Sequence, residues 1–301
     1  MTTQPRILFI APRQMKATPA LHRAMALATA TGASLHLVAF DYLPDLATAA
    51  LIDSDAQDQI RKGYLERHRK WLDTQAGDLR QGGIQVTVEV LWGQDALTEA
   101  LVHARELPAT LLIKDLEVES TIKRALFTTR DIKLLRESPC PVHFVSHAYH
   151  PLPRRILATV DVSRPDDATR AANHRVITEA ANLALQCGAE LHLLHAHNFY
   201  SPEVSEWGYG MTDIAYATDL FEKLQAKERA AFDEIAEQYS IAPVHCHFLT
   251  GHPGSVICHF ATEQEMDIVV IGRTHRHGLE KWLGGTAEFV LYKAPESTLS
   301  V

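Results

Sequence analysis

Apolar and polar positions along the chain alternate between two patterns. Short continuous apolar runs rich in β-branched residues, such as Arg6-Ile7-Leu8-Phe9-Ile10 and Arg155-Ile156-Leu157-Ala158-Thr159-Val160, predict buried strands. Between them lie longer stretches with apolar residues at helical spacing. Residues 20–31 are Ala- and Leu-rich and stop at Gly32, and residues 171–187 stop in the same way at Gly188. A glycine at that place ends a helix by adopting the left-handed conformation. Residues 58–75 and 219–239 are charged and amphipathic, and each predicts a longer helix. Strands that are apolar on both faces and alternate with helices predict a parallel sheet covered on both sides.

The pattern occurs twice. Gly32-Ala33-Ser34-Leu35-His36-Leu37 in the first half returns as Gly188-Ala189-Glu190-Leu191-His192-Leu193 in the second. Leu91-Trp92-Gly93 returns as Leu249-Thr250-Gly251. Leu111-Leu112-Ile113-Lys114 returns as Val269-Val270-Ile271-Gly272, and these last two offsets are both 158 residues. A length of 301 residues suits two domains of about 150. The expected boundaries are 1–148 and 153–301, joined by a linker over 146–154 that holds Pro151 and Pro153. The alternative, one larger doubly wound domain, fits the repeated strand and helix order less well.

Composition narrows the function classes. Hydrophobic residues make up 46% of the chain and charged residues 22%, as in ordinary globular proteins. A formal net charge of -8 gives no general attraction to nucleic acid, so no nucleic-acid partner is expected. No apolar run approaches the roughly 18–20 residues that span a bilayer, and the start of the chain has no apolar signal core. The expected location is cytoplasmic, without membrane association. The four cysteines, Cys140, Cys187, Cys246 and Cys258, form no CxxC pair, which argues against a structural zinc knuckle or a disulfide framework.

The segment most informative about chemistry runs from Ile271 to Glu288. A strand ends at Ile271. Gly272, Gly278, Gly284 and Gly285 follow, and a helix opens near Gly285-Thr286. Glycines let backbone amides approach a ligand closely, and a helix N-terminus offers free N–H donors at a positive dipole end. Together they favour a phosphate, with Arg273 and Arg276 adding positive charge. A ligand-free connection with ordinary helix capping explains the glycine pattern equally well.

The spacing Gly272-x2-His275-x9-Gly285-Thr286 resembles the phosphate loop of the universal stress protein family, Gly-x2-Gly-x9-Gly-(Ser/Thr). The run Arg276-His277-Gly278-Leu279 and the helix opening at Ala287 are also similar to that family, and the resemblance covers both repeats. It implies an α/β fold of two flavodoxin- or Rossmann-like domains, each a five-stranded parallel sheet with flanking helices, of the adenine nucleotide α-hydrolase-like kind. It further implies an ATP site, with AMP or ADP as alternatives and Mg²⁺ accompanying the phosphates. Carried over, the site comprises Val160, Asp161, Ala196, Ile271, Gly272, His275, Arg276, Gly285, Thr286 and Ala287. Asp161 would contact the adenosine end, and Ala196 would line the adenine pocket. Read by itself, Asp161 is a common turn or cap residue after a strand. His275 departs from the family pattern, because it stands where the second glycine belongs. In the first half Pro12 replaces Asp161, Lys114 replaces Gly272 and Phe127 replaces Gly285, so that half is expected to bind no ATP in the family manner. Its ending, from Leu126 to Val142, resembles the degenerate first domain of the E-type tandem members. The family pairs domains through their final strands, which implies an intramolecular pseudo-dimer here and leaves a further homodimer open.

Other candidates carry less. Among seventeen histidines, His245 and His247 share one face of a strand with Cys246 opposite, and His252 and His259 lie near in sequence. Scattered structural histidines are the more economical reading, so no metal ligands are assigned. His36 and His192 occupy equivalent strand positions and read as structural. No nucleophile elbow or Cys/His pair marks a catalytic residue, although slow ATP hydrolysis stays open. The aromatics Phe199, Tyr200, Trp207, Tyr209 and Tyr216 fit either a lid packed on its own domain or a groove for an apolar, lipid-like ligand. The second option keeps a non-nucleotide carrier or interaction scaffold as an alternative function, with protein partners unknown.

Overall fold

The computed structural model describes residues 4–43, 46, 54–93, 95–117, 129–198, 214–273 and 285–301. The chain divides into two compact units, Met1–Leu152 and Pro153–Val301. The first runs β1 (Arg6–Ile10), α1 (Pro19–Thr31), β2 (Ser34–Asp41), α2 (Ser54–Gln81), β3 (Val86–Trp92), α3 (Ala96–Glu106), β4 (Leu111–Asp115), α4 (Arg130–Glu137) and β5 (Val142–Val145). All its strand pairs are parallel, in the order β3-β2-β1-β4-β5. The second runs β6 (Arg155–Val160), α5 (Asp167–Cys187), β7 (Glu190–His197), α6 (Ile214–Gln238), a 3₁₀ turn (Pro243–His245), β8 (Cys246–Thr250), α7 (Pro253–Glu263), β9 (Ile268–Ile271), α8 (Thr286–Lys293) and β10 (Ser297–Ser300). Its strands are again parallel, in the order β8-β7-β6-β9-β10.

Local sequence explains these elements. Thr18 and Asp166 cap α1 and α5 by accepting the backbone N–H groups of Leu21 and Thr169, contacts worth about 1 kcal/mol each. Gly32 and Gly188 close the same helices at φ 67° and 65°, where a Cβ would be strained. Helix α2 is longer than the 58–75 stretch that periodicity marks. Its buried stripe is confined to His68, Leu72, Ala76 and Leu79, so its first turns carry little apolar signal. The central strands are apolar through their middles because both faces are covered, whereas the outer β3 and β8 are only partly buried. Leu8 and Phe9 of β1 and Ile156, Leu157 and Ala158 of β6 are wholly buried. Helix α1 packs on β1, β2 and β4, and α5 packs on β6, β7 and β9. No helix among the described residues is long and apolar enough to cross a membrane.

Each unit also ties the end of its second strand to its long helix with an acid–histidine pair. In the first, Asp41 Oδ2 of β2 lies 2.6 Å from His68 Nδ1 of α2. In the second, the roles are exchanged. His197 Nδ1 of β7 lies 2.6 Å from Glu228 Oε2 of α6. Asp41 and His197 follow Gly32 and Gly188 at the same interval, so the two pairs are equivalent in the repeat.

Two buried charged groups fix the far side of the first unit. Lys114, 6% exposed, donates from Nζ to Oδ1 of Asp131, 1% exposed. The other Asp131 oxygen accepts the N–H of Glu117 at 2.8 Å. Strand β4 and helix α4 are thereby joined by one ion pair. Removing one member leaves the other charge buried, which typically costs about 3–5 kcal/mol. Asp131→Ala is therefore expected to lower the unfolding free energy by about that amount, whereas Asp219→Ala, in an exposed pair with Lys223, is expected to change it by less than about 1 kcal/mol. Urea denaturation of each variant measures both.

His143 on β5 is wholly buried, and neither ring nitrogen has a hydrogen-bond partner among the described residues. Burial, and then the nearby charge of Arg23, hold its pKa well below the usual histidine value. The folded state thus keeps the ring neutral while the unfolded chain takes up a proton below about pH 6.5. The unfolded state binds more protons there, so stability falls as pH drops below about 6.5. Replacing the ring by an apolar one of similar shape, His143→Phe, is expected to flatten this slope in denaturation measured from pH 7 to pH 5.

Candidate functional site

In the second unit the chain runs outward from β6 through β7 to β8, then crosses back to β9 and β10. The crevice at the carboxyl ends of β6 and β9 is therefore the topological switch point, where open α/β sheets take ligands. The register pairs Val160 with His195 and Ala158 with Val270. One step further along, Asp161 and Ala196 reach the same edge, and Ile271 and Gly272 end β9 beside them. Thr159 Oγ1 donates to the Val270 carbonyl at 3.0 Å and locks β6 against β9. Of the ten residues that the sequence nominates, Val160, Asp161, Ala196, Ile271 and Gly272 converge here.

Asp161 sits in a turn that other side chains hold. Asn173 of α5 accepts the Asp161 N–H at 3.0 Å and donates Nδ2 to its carbonyl at 2.8 Å. The exposed Asp161 carboxylate accepts from the Ser163 N–H at 3.0 Å and from its hydroxyl at 2.6 Å, both through Oδ1. The turn role and the ligand role thus fall on one residue. Gly272 is closely packed, since a Cβ there would lie 3.3 Å from Val176 Cγ2 of α5, and that side chain would have to give way by a few tenths of an ångström.

Gly285 is different. It is the N-cap of α8 at φ −66°, ψ 173°, and it gives the helix no side-chain cap. A Cβ at Gly285 would meet nothing within 4 Å among the described residues. Neither backbone conformation nor packing among the described residues demands glycine at this place. The first-turn N–H groups of α8, from Thr286 and Ala287 onward, are donors of the kind that bind phosphate. Helix α8 is itself positioned by α7, because Gly254 approaches Phe289 so closely that a Cβ would fall 2.7 Å from its ring. His275 and Arg276 lie outside the described residues, as do Phe127 of the first unit and the aromatics Phe199, Tyr200, Trp207 and Tyr209. The Tyr216 side chain is likewise outside the description.

The equivalent corner of the first unit carries different groups. Pro12 follows β1, and Lys114 stands at the place of Gly272 with its ammonium committed to Asp131. Thr129 caps α4 through its own hydroxyl, which accepts the Ile132 N–H at 3.2 Å. Donors left without a side-chain cap in α8 are thus served internally in α4.

Sequence reasoning missed a third feature of the second unit. His195, one residue before Ala196, places Nδ1 3.1 Å from the Val160 carbonyl and Nε2 3.1 Å from Glu228 Oε2. The same Glu228 oxygen takes His197. A chain of polar contacts therefore links the last residue of β6 to α6 directly behind the crevice. The usable signal was the position of Glu228 one helical turn before the buried Phe232, which puts a carboxylate on the apolar face of α6.

His245, which ends the 3₁₀ turn rather than joining the strand, and His247 of β8 pack rather than converge with His252 and His259. His247 Nε2 lies 3.0 Å from His192 Nδ1, and the His192 and His245 rings meet edge to face at 4.5 Å. Burial and the neighbouring rings hold His247 near a pKa of about 4. Cys246 turns its thiol away, 3.4 Å from the Ala242 carbonyl.

Comparison with known proteins follows the same division. The universal stress protein family matches twice, over residues 6–146 and 153–301. Universal stress protein E of Photorhabdus laumondii is 26% identical over 285 residues, which cover 91% of this chain and 87% of the relative. The Escherichia coli K12 protein of the same name is 25% identical over equal length, covering 91% and 86%. Among solved structures, the functionally unknown protein PA1789 of Pseudomonas aeruginosa superimposes with a TM-score of 0.74 at 26% identity, covering 99% of this chain and 92% of that one. A universal stress protein of Archaeoglobus fulgidus shares the fold, with a TM-score of 0.63 at 15% identity, covering 98% and 95%. The chain belongs to the universal stress protein family, as a tandem protein of the E type with one family domain in each half.

Proposed function

We propose that this stress-response protein binds an adenine nucleotide, ATP in the first instance, at the switch point of its second domain. The observation that carries the reading is Gly285. It opens α8 with no side-chain cap, and among the described residues nothing stands within 4 Å of where a Cβ would be. A glycine that neither its conformation nor the described packing requires is accounted for by close approach of a ligand to the backbone. Gly272, Gly285, Thr286 and Ala287 would hold the phosphates through backbone donors, with His275 and Arg276 between them in sequence. Asp161 would receive the ribose hydroxyls, and Val160, Ala196 and Ile271 would border the base. Mg²⁺ would be carried by the phosphate oxygens, which suit its preference for hard ligands. The first domain serves as scaffold, because Lys114, Asp131 and Thr129 already fill the roles that a phosphate would take.

Calorimetric titration with ATP and Mg²⁺ tests this. The wild type is expected to release heat with one site per chain. Gly285→Phe is expected to lose at least tenfold in affinity, or about 1.4 kcal/mol. Lys114→Met is expected to leave the nucleotide titration unchanged. No heat with the wild type would exclude the nucleotide reading and favour the carrier alternative. Phosphate release during the titration would convert the binding site into that of a slow ATPase.

A further inference from the structure

We propose that the first domain binds a divalent transition-metal ion, Zn²⁺ in the first instance, through His36, Glu89 and His103. Three elements bring these residues together. The parallel register of β2 and β3 sets His36 beside Thr87 and Val38 beside Glu89, so His36 and Glu89 lie near each other along one face. His103 reaches them from α3. The His36 and His103 Nε2 atoms are 3.0 Å apart, and Glu89 Oε2 lies 3.5 Å from the first and 3.3 Å from the second. The triangle is nearly equilateral. An ion with tetrahedral bonds of about 2.0–2.1 Å has ligand-to-ligand edges of about 3.3 Å. The three atoms therefore already stand close to the face of a coordination tetrahedron.

The shell behind the triangle supports the assignment. His36 Nδ1 lies 2.6 Å from Thr87 Oγ1. That contact orients the ring with Nε2 toward the other two groups, as the outer partner of a metal-bound histidine does. The Glu89 side chain is 39% exposed while His36 and His103 are largely covered, so the open fourth position faces solvent through Glu89. Two imidazoles and one carboxylate suit zinc and its neighbours rather than Mg²⁺ or Ca²⁺, which prefer all-oxygen sets. A second cluster, His195, His197 and Glu228, is less apt. There one carboxylate oxygen already lies within hydrogen-bond distance of both rings, 3.1 Å from His195 Nε2 and 2.6 Å from His197 Nδ1. The second domain also lacks the first domain's set at the equivalent place. His247 takes the position of Glu89, and its ring packs 4.3 Å from that of Phe260.

The test uses the full chain, stripped with chelator and then titrated with Zn²⁺ by calorimetry and with Co²⁺ by visible absorption. The wild type is expected to take one tightly bound equivalent and to give the intense absorption of four-coordinate Co²⁺. His103→Gln and Glu89→Gln, the latter near the rim and mild for folding, are each expected to abolish that equivalent. Thr87→Val is expected to weaken it about 10- to 100-fold. Glu228→Gln is expected to leave it intact. Circular dichroism checks that each variant is folded, and Zn²⁺ is expected to raise the Tm of the wild type but not of Glu89→Gln. Unchanged binding in folded Glu89→Gln, loss in Glu228→Gln instead, or no Zn²⁺ uptake by the wild type would overturn the proposal. The last result would leave the cluster as a closed hydrogen-bond network.

Discussion

Each domain depends on a central strand, β1 or β6, that is buried on both faces and flanked by parallel neighbours. A parallel strand of this kind leaves no face for water, so its sequence is continuously apolar, and its neighbours must be reached by helical crossovers. The crossovers send the chain first to one side and then to the other. That reversal opens a crevice at the carboxyl edge. Everything proposed for the nucleotide follows from it, since Asp161 ends the central strand and Gly272 ends the first strand on the far side. The same constraint acts in the first domain, where the buried Lys114–Asp131 pair stands at the equivalent corner.

The two domains answer one topology with opposite chemistry at that corner. In the second, a helix opens at a bare glycine and carries no side-chain cap. In the first, a threonine caps the helix and a lysine commits its charge to an aspartate one residue into the same helix. An ammonium brought in where a phosphate would lie does not attract phosphate if a carboxylate already neutralises it. The absence of glycines is therefore only half of the difference. The buried ion pair makes this corner part of the first domain's core, and its desolvation makes it costly to break.

Much of this was legible from residue order because its signals are local. Apolar runs gave the strands, Gly32 and Gly188 marked helix ends, and recurrence of the same blocks gave the tandem fold. Asp161, Ala196 and Gly272 were nominated by resemblance to the family motif, and the structure places them at or next to the carboxyl ends of β6, β7 and β9. What was not legible depends on contacts between residues far apart in sequence. Glu228 looks like one more acid on an amphipathic helix until α6 is laid on β7. His103 and Glu89 look like ordinary helix and strand polar residues until α3 closes over β2. The histidine run at the start of β8 drew attention because its members are adjacent in sequence. The tighter triangle, around His36, is assembled from three elements and leaves no spacing rule to read. The start of α2 escaped for another reason, since its first turns bury almost nothing and carry no period.

The exchanged acid–histidine pairs bear on how such a repeat can evolve. Asp41 with His68, and His197 with Glu228, are mirror solutions to the same contact between second strand and long helix. Neither strand is compatible with the other domain's helix. Recombination that moved β7 into the first domain without α6 would set two imidazoles against each other. The reciprocal exchange would bury two carboxylates together. Strand and helix are thus interchangeable between the halves only as a matched pair, so the two copies of one fold carry contacts that are equivalent in place but not in parts.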